Sequence, residues 1–317
     1  MHRFVAALVA FVFLASASTA LAAGPSYVSE GGFGVLARDG KTRYVAVPIG
    51  NRTAIERVRV HGGSVTTWAE LRGSWGIPAP TYSSTGGEGL SRDGTRLIVG
   101  RSGAASPSKF AIVDTGLMRV VDRFTLNGNF AYDALSPDGS TLYLVQHTDA
   151  NNVNRYIVRA YDLSTHRLQP GRIADKSQRG WVMEGSAVTR ATSPDGRWVY
   201  TLYQRAGGYP FIHALDTVNG VAHCTGLPWK GSQVALWNIR MTLGDGGKTL
   251  AVHWKSGRPW LDLNTTSWRL AHVQPGGAFP WRWLVAGAGG AAALLLALGA
   301  FVVARCRHPR EAVPVAL

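Results

Sequence analysis

The chain has 317 residues, 46% of them hydrophobic, and a formal net charge of +14. That apolar content excludes an intrinsically disordered chain. The presence of only 2 cysteines excludes a disulfide scaffold, so apolar burial and strand pairing must hold the fold.

The N-terminus reads Met1-His2-Arg3, an apolar run from Phe4 to Leu14, then small residues ending Ala20-Leu21-Ala22. A charged head, a short apolar core and an A-x-A end predict a secretory signal peptide over residues 1–22, cleaved after Ala22 or Ala23. Residues 23–278 form the exported body. Its remaining basic excess favours anionic partners such as phosphate-bearing wall polymers, acidic polysaccharide or anionic lipid headgroups. Nucleic acid is not an expected partner outside a cell.

Within that body one pattern occurs five times: an apolar residue, a small residue, a polar turn ending in Gly, then an apolar strand. The copies are Leu36-Ala37-Arg38-Asp39-Gly40, Leu90-Ser91-Arg92-Asp93-Gly94, Leu135-Ser136-Pro137-Asp138-Gly139, Thr192-Ser193-Pro194-Asp195-Gly196 and Leu243-Gly244-Asp245-Gly246-Gly247. They recur at about 50 residues, the length of four antiparallel strands with short turns. Asp-Gly allows φ > 0 at little cost and Pro presets the residue before it, so each copy reads as a hairpin. The strands that follow, such as Leu142-Tyr143-Leu144-Val145 and Trp198-Val199-Tyr200-Thr201-Leu202, suit sheets covered on both faces. A second motif, a strand ending in Asp before a polar turn, follows at Asp114, Asp162, Asp216 and Asp262. The first unit has His61-Gly62-Gly63 in its place.

Together these predict an all-β chain, a β-propeller of five four-stranded blades near 27–78, 79–128, 129–180, 181–234 and 235–275. The long intervals leave room for a sixth. Both end units look complete, so little or no exchange of a terminal strand is expected at ring closure. The run from Phe110-Ala111-Ile112-Val113-Asp114 through Ser136-Pro137-Asp138-Gly139 to Leu144-Val145 resembles the YVTN-type bacterial β-propeller repeats. The resemblance covers about residues 27 to 275. It implies a propeller, often an extracellular one, but no single chemistry.

Six residues before the aligned glycines stand Gly34, Glu88, Asp133, Arg190 and Met241, with Arg240 beside the last. The position belongs to the innermost strand, where buried charges need partners. Glu88, Asp133, Arg190 and Arg240 are therefore candidates for a channel ring, either a salt-bridged collar or a polar site at the channel mouth. On the face opposite the hairpins, Arg101, His147, Gln204, Arg205, His253, Trp254 and Lys255 form a candidate binding face. Trp75, Tyr82, Phe130, Trp181, Trp229 and Trp237 contribute from the inter-blade segments. Aromatic planes beside donors suit carbohydrate, and His and Arg suit phosphate or carboxylate. The competing reading places these aromatics in the seams between blades.

No G-x-S-x-G, H-E-x-x-H or P-loop occurs, and no His or Cys stands at metal-ligand spacing. No catalytic residue, metal or cofactor is expected. The apolar stretch Trp283–Ala304 carries no charge and spans about 33 Å as a helix, enough to cross a bilayer core. Arg305, Arg307 and Arg310 then predict a basic cytoplasmic tail over residues 305–317, with the propeller outside. Cys224 and Cys306 fall on opposite sides and cannot pair within one chain.

The expected protein is a single-pass cell-membrane protein displaying a non-enzymatic binding or interaction module. Its ligand would be anionic, carbohydrate or a protein partner. The alternative is an extracellular hydrolase or lyase acting on glycans, with Glu88 and Asp133 as its acidic pair.

Overall fold

Alternating apolar residues and glycine-closed turns give the chain its strands, and the computed structural model shows how they pair. It describes residues 27–29, 34–82, 86–101, 106–175, 183–205 and 207–272. The expected signal peptide 1–22, membrane helix 283–304, tail 305–317 and Trp181 lie outside the described residues. Among the described residues no helix is long and apolar enough to cross a membrane.

The described strands form five antiparallel sheets, and the fold is a β-propeller. A short strand, β1 (Tyr27–Ser29), precedes the first blade. That blade is β2 (Val35–Leu36), β3 (Thr42–Ile49), β4 (Arg52–Arg59) and β5 (Val65–Arg72). The second is β6 (Trp75–Ala79), β7 (Arg96–Arg101), β8 (Ser108–Asp114) and β9 (Arg119–Leu126). The third is β10 (Asn129–Leu135), β11 (Thr141–His147) and β12 (Arg155–Asp162), its outer edge shared by β13 (Arg167–Leu168) and β14 (Met183–Glu184). The fourth is β15 (Ser186–Thr192), β16 (Trp198–Gln204), β17 (Phe211–Asp216) and β18 (Val221–Gly226). The fifth is β19 (Ile239–Gly244), β20 (Thr249–Trp254), β21 (Pro259–Asn264) and β22 (Leu270–His272).

The repeated turn works as its residues suggest. Gly139 N–H donates to the Ser136 carbonyl at 2.9 Å, and Gly139 sits at φ 70°, a conformation that favours glycine. Asp138 accepts from the Ser136 hydroxyl and from Ser140 N–H. Asp93 and Asp195 do the same in the second and fourth blades. The serine hydroxyls, first in each case, hold these three carboxyls below the usual carboxylate range.

The second motif needs one correction. Asp114, Asp162 and Asp216 accept backbone N–H groups of the turns that follow them. In the fifth blade Asn264, not Asp262, takes that place. It lies opposite Thr249, as Asp162 lies opposite Thr141, and it accepts from Thr266 and Ser267 N–H. Thr265 beside it donates to the Gly247 carbonyl, as Thr217 does to that of Gly196.

The N-terminal strand also departs from expectation. β1 pairs with β6, Tyr27 opposite Ala79 and Ser29 opposite Ile77, so it extends the inner edge of the second blade. The reason is a split partner. β6 pairs with β7 only at Trp75 and Gly76, while Gly89 and Leu90 take the rest of β7. Over residues 77–79 β6 instead pairs with β1, and the Pro78 carbonyl accepts from Glu88 N–H, so its buried backbone groups are paired. Gly34 then enters the first blade at φ 64°, where a Cβ would stand 1.9 Å from the Tyr44 carbonyl oxygen.

Buried side chains gather between blades. Four core clusters join the first blade to the second, the second to the third, the third to the fourth and the fourth to the fifth. The aromatics expected in the inter-blade segments divide accordingly. Trp75 and Phe130 are buried in seams, whereas Trp229 and Trp237 pack half-buried on the last cluster.

Candidate functional site

Three of the four ring residues meet. In β10 the register shifts between Tyr132 and Ala134, and Asp133 is the extra residue of that bulge. A bulge re-aims a side chain, and here it turns Asp133 toward β15 of the next blade. Arg190 on β15 lies opposite Thr201 and donates from Nε to its hydroxyl at 2.9 Å. Its Nη2 donates to Asp133 Oδ1, and its Nη1 donates to the Asp133 carbonyl and, at 3.1 Å, to Glu88 Oε2. The Arg190 and Asp133 side chains are buried at 4% and 3% exposure, while Glu88 keeps 29%. That difference decides which of them solvent can reach: Glu88 alone.

Burial works against the Arg190 charge, but the Glu88 and Asp133 carboxylates outweigh it and hold the guanidinium firmly protonated. Burial likewise pushes the Glu88 carboxyl above its usual range, against the pull of Arg190. Arg240 does not join them. It donates to the carbonyls of Trp237 and Ile239, at the start of β19 in its own blade. Met241 is buried among the apolar residues between the fourth and fifth blades.

Glu88 opens onto a cavity of about 390 Å³ lined by hairpin residues of four blades, including Arg38, Arg92, Ser136 and Pro194. This is the Asp-Gly side of the propeller, whereas the candidate binding face was placed on the other. Two guanidinium groups converge on one oxygen at its rim. Arg38 Nη2 and Arg92 Nη1 both donate to the Pro194 carbonyl, at 3.3 and 2.6 Å. Neither makes a salt bridge among the described residues. Like charges at one carbonyl leave spare N–H donors, the arrangement that receives phosphate, sulfate or carboxylate oxygens. Sequence reasoning passed over Arg38 and Arg92. The available signal was that both stand at the same place in their turns, where the third and fourth units have Pro.

The residues expected on the opposite face are dispersed over four blades. His147 Nδ1 bonds the Val153 carbonyl at 2.6 Å, and burial holds that imidazole below its ordinary range. Arg205 lies 4.0 Å from Glu184, and Gln204 ends β16 beside it. Arg101 is exposed at the end of β7. His253 bonds the Trp254 carbonyl, and Lys255 N–H donates to that of Asn238. Trp254 packs against Trp229, which packs against Trp260, and the Arg258 guanidinium covers Trp254 at 4.9 Å. The cavity brings none of them together.

No protein-family profile matches the chain, and no curated protein matches it. Some solved structures are similar to it at low identity. Hydrazine synthase of Kuenenia stuttgartiensis is 18% identical with a TM-score of 0.47, over 72% of this chain and 63% of that one. A functionally unknown protein of Desulfotomaculum acetoxidans is 13% identical, TM-score 0.46, over 76% and 68%. TolB of Acinetobacter baumannii is 15% identical, TM-score 0.42, over 78% and 56%. Such likeness says nothing of activity.

Proposed function

We propose that the chain is a membrane-anchored, extracytoplasmic β-propeller of the YVTN-repeat type that binds an anionic ligand at its axial cavity and catalyses no reaction. The export signal and the anchor rest on the N-terminal and C-terminal apolar stretches read above. The single observation that carries the binding role is the pair of guanidinium groups, Arg38 and Arg92, meeting over the cavity at one backbone carbonyl. The basic balance of the body adds a field that draws anions toward it. Ser136 and Ser193 line the same cavity. The hydrolytic alternative finds no support in the ring: Asp133 is enclosed and tied to Arg190, so Glu88 and Asp133 do not face one substrate.

The test is a glycan and wall-polymer array probed with the full-length protein in detergent. Binding confined to phosphorylated, sulfated or uronic-acid polymers, lost in an Arg38→Ala, Arg92→Ala double variant and kept in Arg205→Ala, is the expected result. Binding to neutral glycans that is lost only in Arg205→Ala or Trp254→Ala would return the site to the opposite face.

A further inference from the structure

The seam between the third and fourth blades carries more polar groups than its hydrogen bonds use. Strand alternation aims them at one another. From the third blade come Asp133 and Tyr156; from the fourth come Arg190, Thr201, Tyr203, His213 and Cys224. Asp133, Tyr156, Tyr203 and His213 are 2%, 0%, 0% and 1% exposed. Each also holds a buried polar atom without a hydrogen-bond partner among the described residues: Asp133 Oδ2, Tyr156 Oη, Tyr203 Oη and His213 Nε2. The Tyr156 and Tyr203 hydroxyls lean on one another, which leaves Asp133 Oδ2 and His213 Nε2 as the atoms that most require a partner, and buried polar atoms are almost always satisfied.

The geometry brings the four together. The Tyr156 and Tyr203 rings lie 5.4 Å apart, and Tyr203 meets the edge of His213 at 6.4 Å. His213 Nδ1 is engaged with Cys224 Sγ at 3.4 Å, which fixes the ring and leaves Nε2 as its free corner. Asp133 Oδ1 is taken by Arg190, which leaves Oδ2. Arg190 ties Asp133 to Thr201, which lies opposite His213 in the sheet, so the carboxylate is held at the same part of the seam.

We propose that this seam encloses ordered water, bound by Asp133 Oδ2, the hydroxyls of Tyr156 and Tyr203, and His213 Nε2. The donor set selects water over other occupants. The carboxylate accepts only, the hydroxyls donate and accept, and a neutral imidazole corner does one or the other. A molecule with two donors and two acceptors completes all of them. A metal cation would sit beside the Arg190 charge, and an anion beside Asp133.

Two measurements on the full-length protein decide it. The first is a crystal structure fine enough to show ordered solvent. Density for water within hydrogen-bond distance of at least two of the four atoms is expected, and a dry seam, or density for an ion there, overturns the proposal. The second is the sign of a melt. If water bridges the hydroxyl, Tyr203→Phe removes a used partner and lowers the Tm by about 2–4 °C. If the hydroxyl is a true orphan, the same change relieves a buried unpaired group and raises the Tm, which also overturns it. Tyr156→Phe is the replicate should Tyr203→Phe fail to fold.

Discussion

The two seams that flank the fourth blade are made from opposite faces of the same strands, and their materials differ. Toward the fifth blade, β16 and β17 present Tyr200, Leu202, Ile212 and Ala214 to Ile239, Met241, Leu250, Val252, Leu261 and Leu263. Toward the third blade they present Val199, Phe211 and Leu215 to Val145 and Val158, and among these apolar residues a polar set, Thr201, Tyr203 and His213 facing Asp133 and Tyr156 with Arg190 between. The apolar seam gains from area removed from water and asks little of orientation. The polar set gains little net stability from its ion pair, yet it tolerates loss of a partner poorly, because Arg190 and Asp133 are buried against one another. The two seams should therefore fail differently.

The sharpest contrast is a charge removal set against a methylene removal. Arg190→Met strands Asp133 and Glu88 and should cost about 3–5 kcal/mol. Adding Asp133→Asn should recover part of that loss, which a double-mutant cycle in denaturant reads directly. Purely additive losses would mean the ring is solvated surface. Leu250→Ala in the apolar seam should cost about 2–5 kcal/mol through transfer and cavity terms. It should show no coupling to Asp133→Asn.

The polar seam should also be the one that feels pH. Burial pushes His213 down from its ordinary 6.5 to about 4. The unfolded chain then binds the proton more readily between those values, so stability is full above pH 6.5 and falls on acidification toward pH 4. The loss is roughly 3 kcal/mol from this group. His213→Gln should flatten the midpoint-versus-pH curve across that window, whereas Leu250→Ala should shift it down without changing its shape. Equal slopes in all three proteins would erase the distinction between the seams.

The smallest expected effect lies outside both seams. Gly139 sits at φ 70°, and a Cβ there would meet Ser91 Cβ at 3.8 Å, an ordinary contact, so the strain of Gly139→Val comes chiefly from conformation. About 1–3 kcal/mol should be lost, read as a lower thermal midpoint, independent of pH and of either seam. An unchanged midpoint would show that the hairpins tolerate β-branched residues at their closing position.

The sequence by itself determined whatever is local. Asp-Gly turns, the serine before them and the alternation of the strands between set the hairpins, the four-stranded unit and its fivefold recurrence, because each depends on residues a few positions apart. It also marked Glu88, Asp133 and Arg190 as charges in an inner strand. Tertiary structure decided how those charges are used. A bulge aims Asp133 at Arg190 across a blade boundary, while Arg240, one position off in a blade whose β19–β20 pairing keeps register, bonds carbonyls of its own blade. Asp262 was the motif's Asp by sequence, and only the pairing of Asn264 with Thr249 moved that role two residues on. The N-terminal strand on β6, and the meeting of Arg38 with Arg92 at Pro194, join segments far apart in the chain. No spacing encodes such contacts. They follow from which edges the folded blades leave unpaired and which side chains the closing face crowds together.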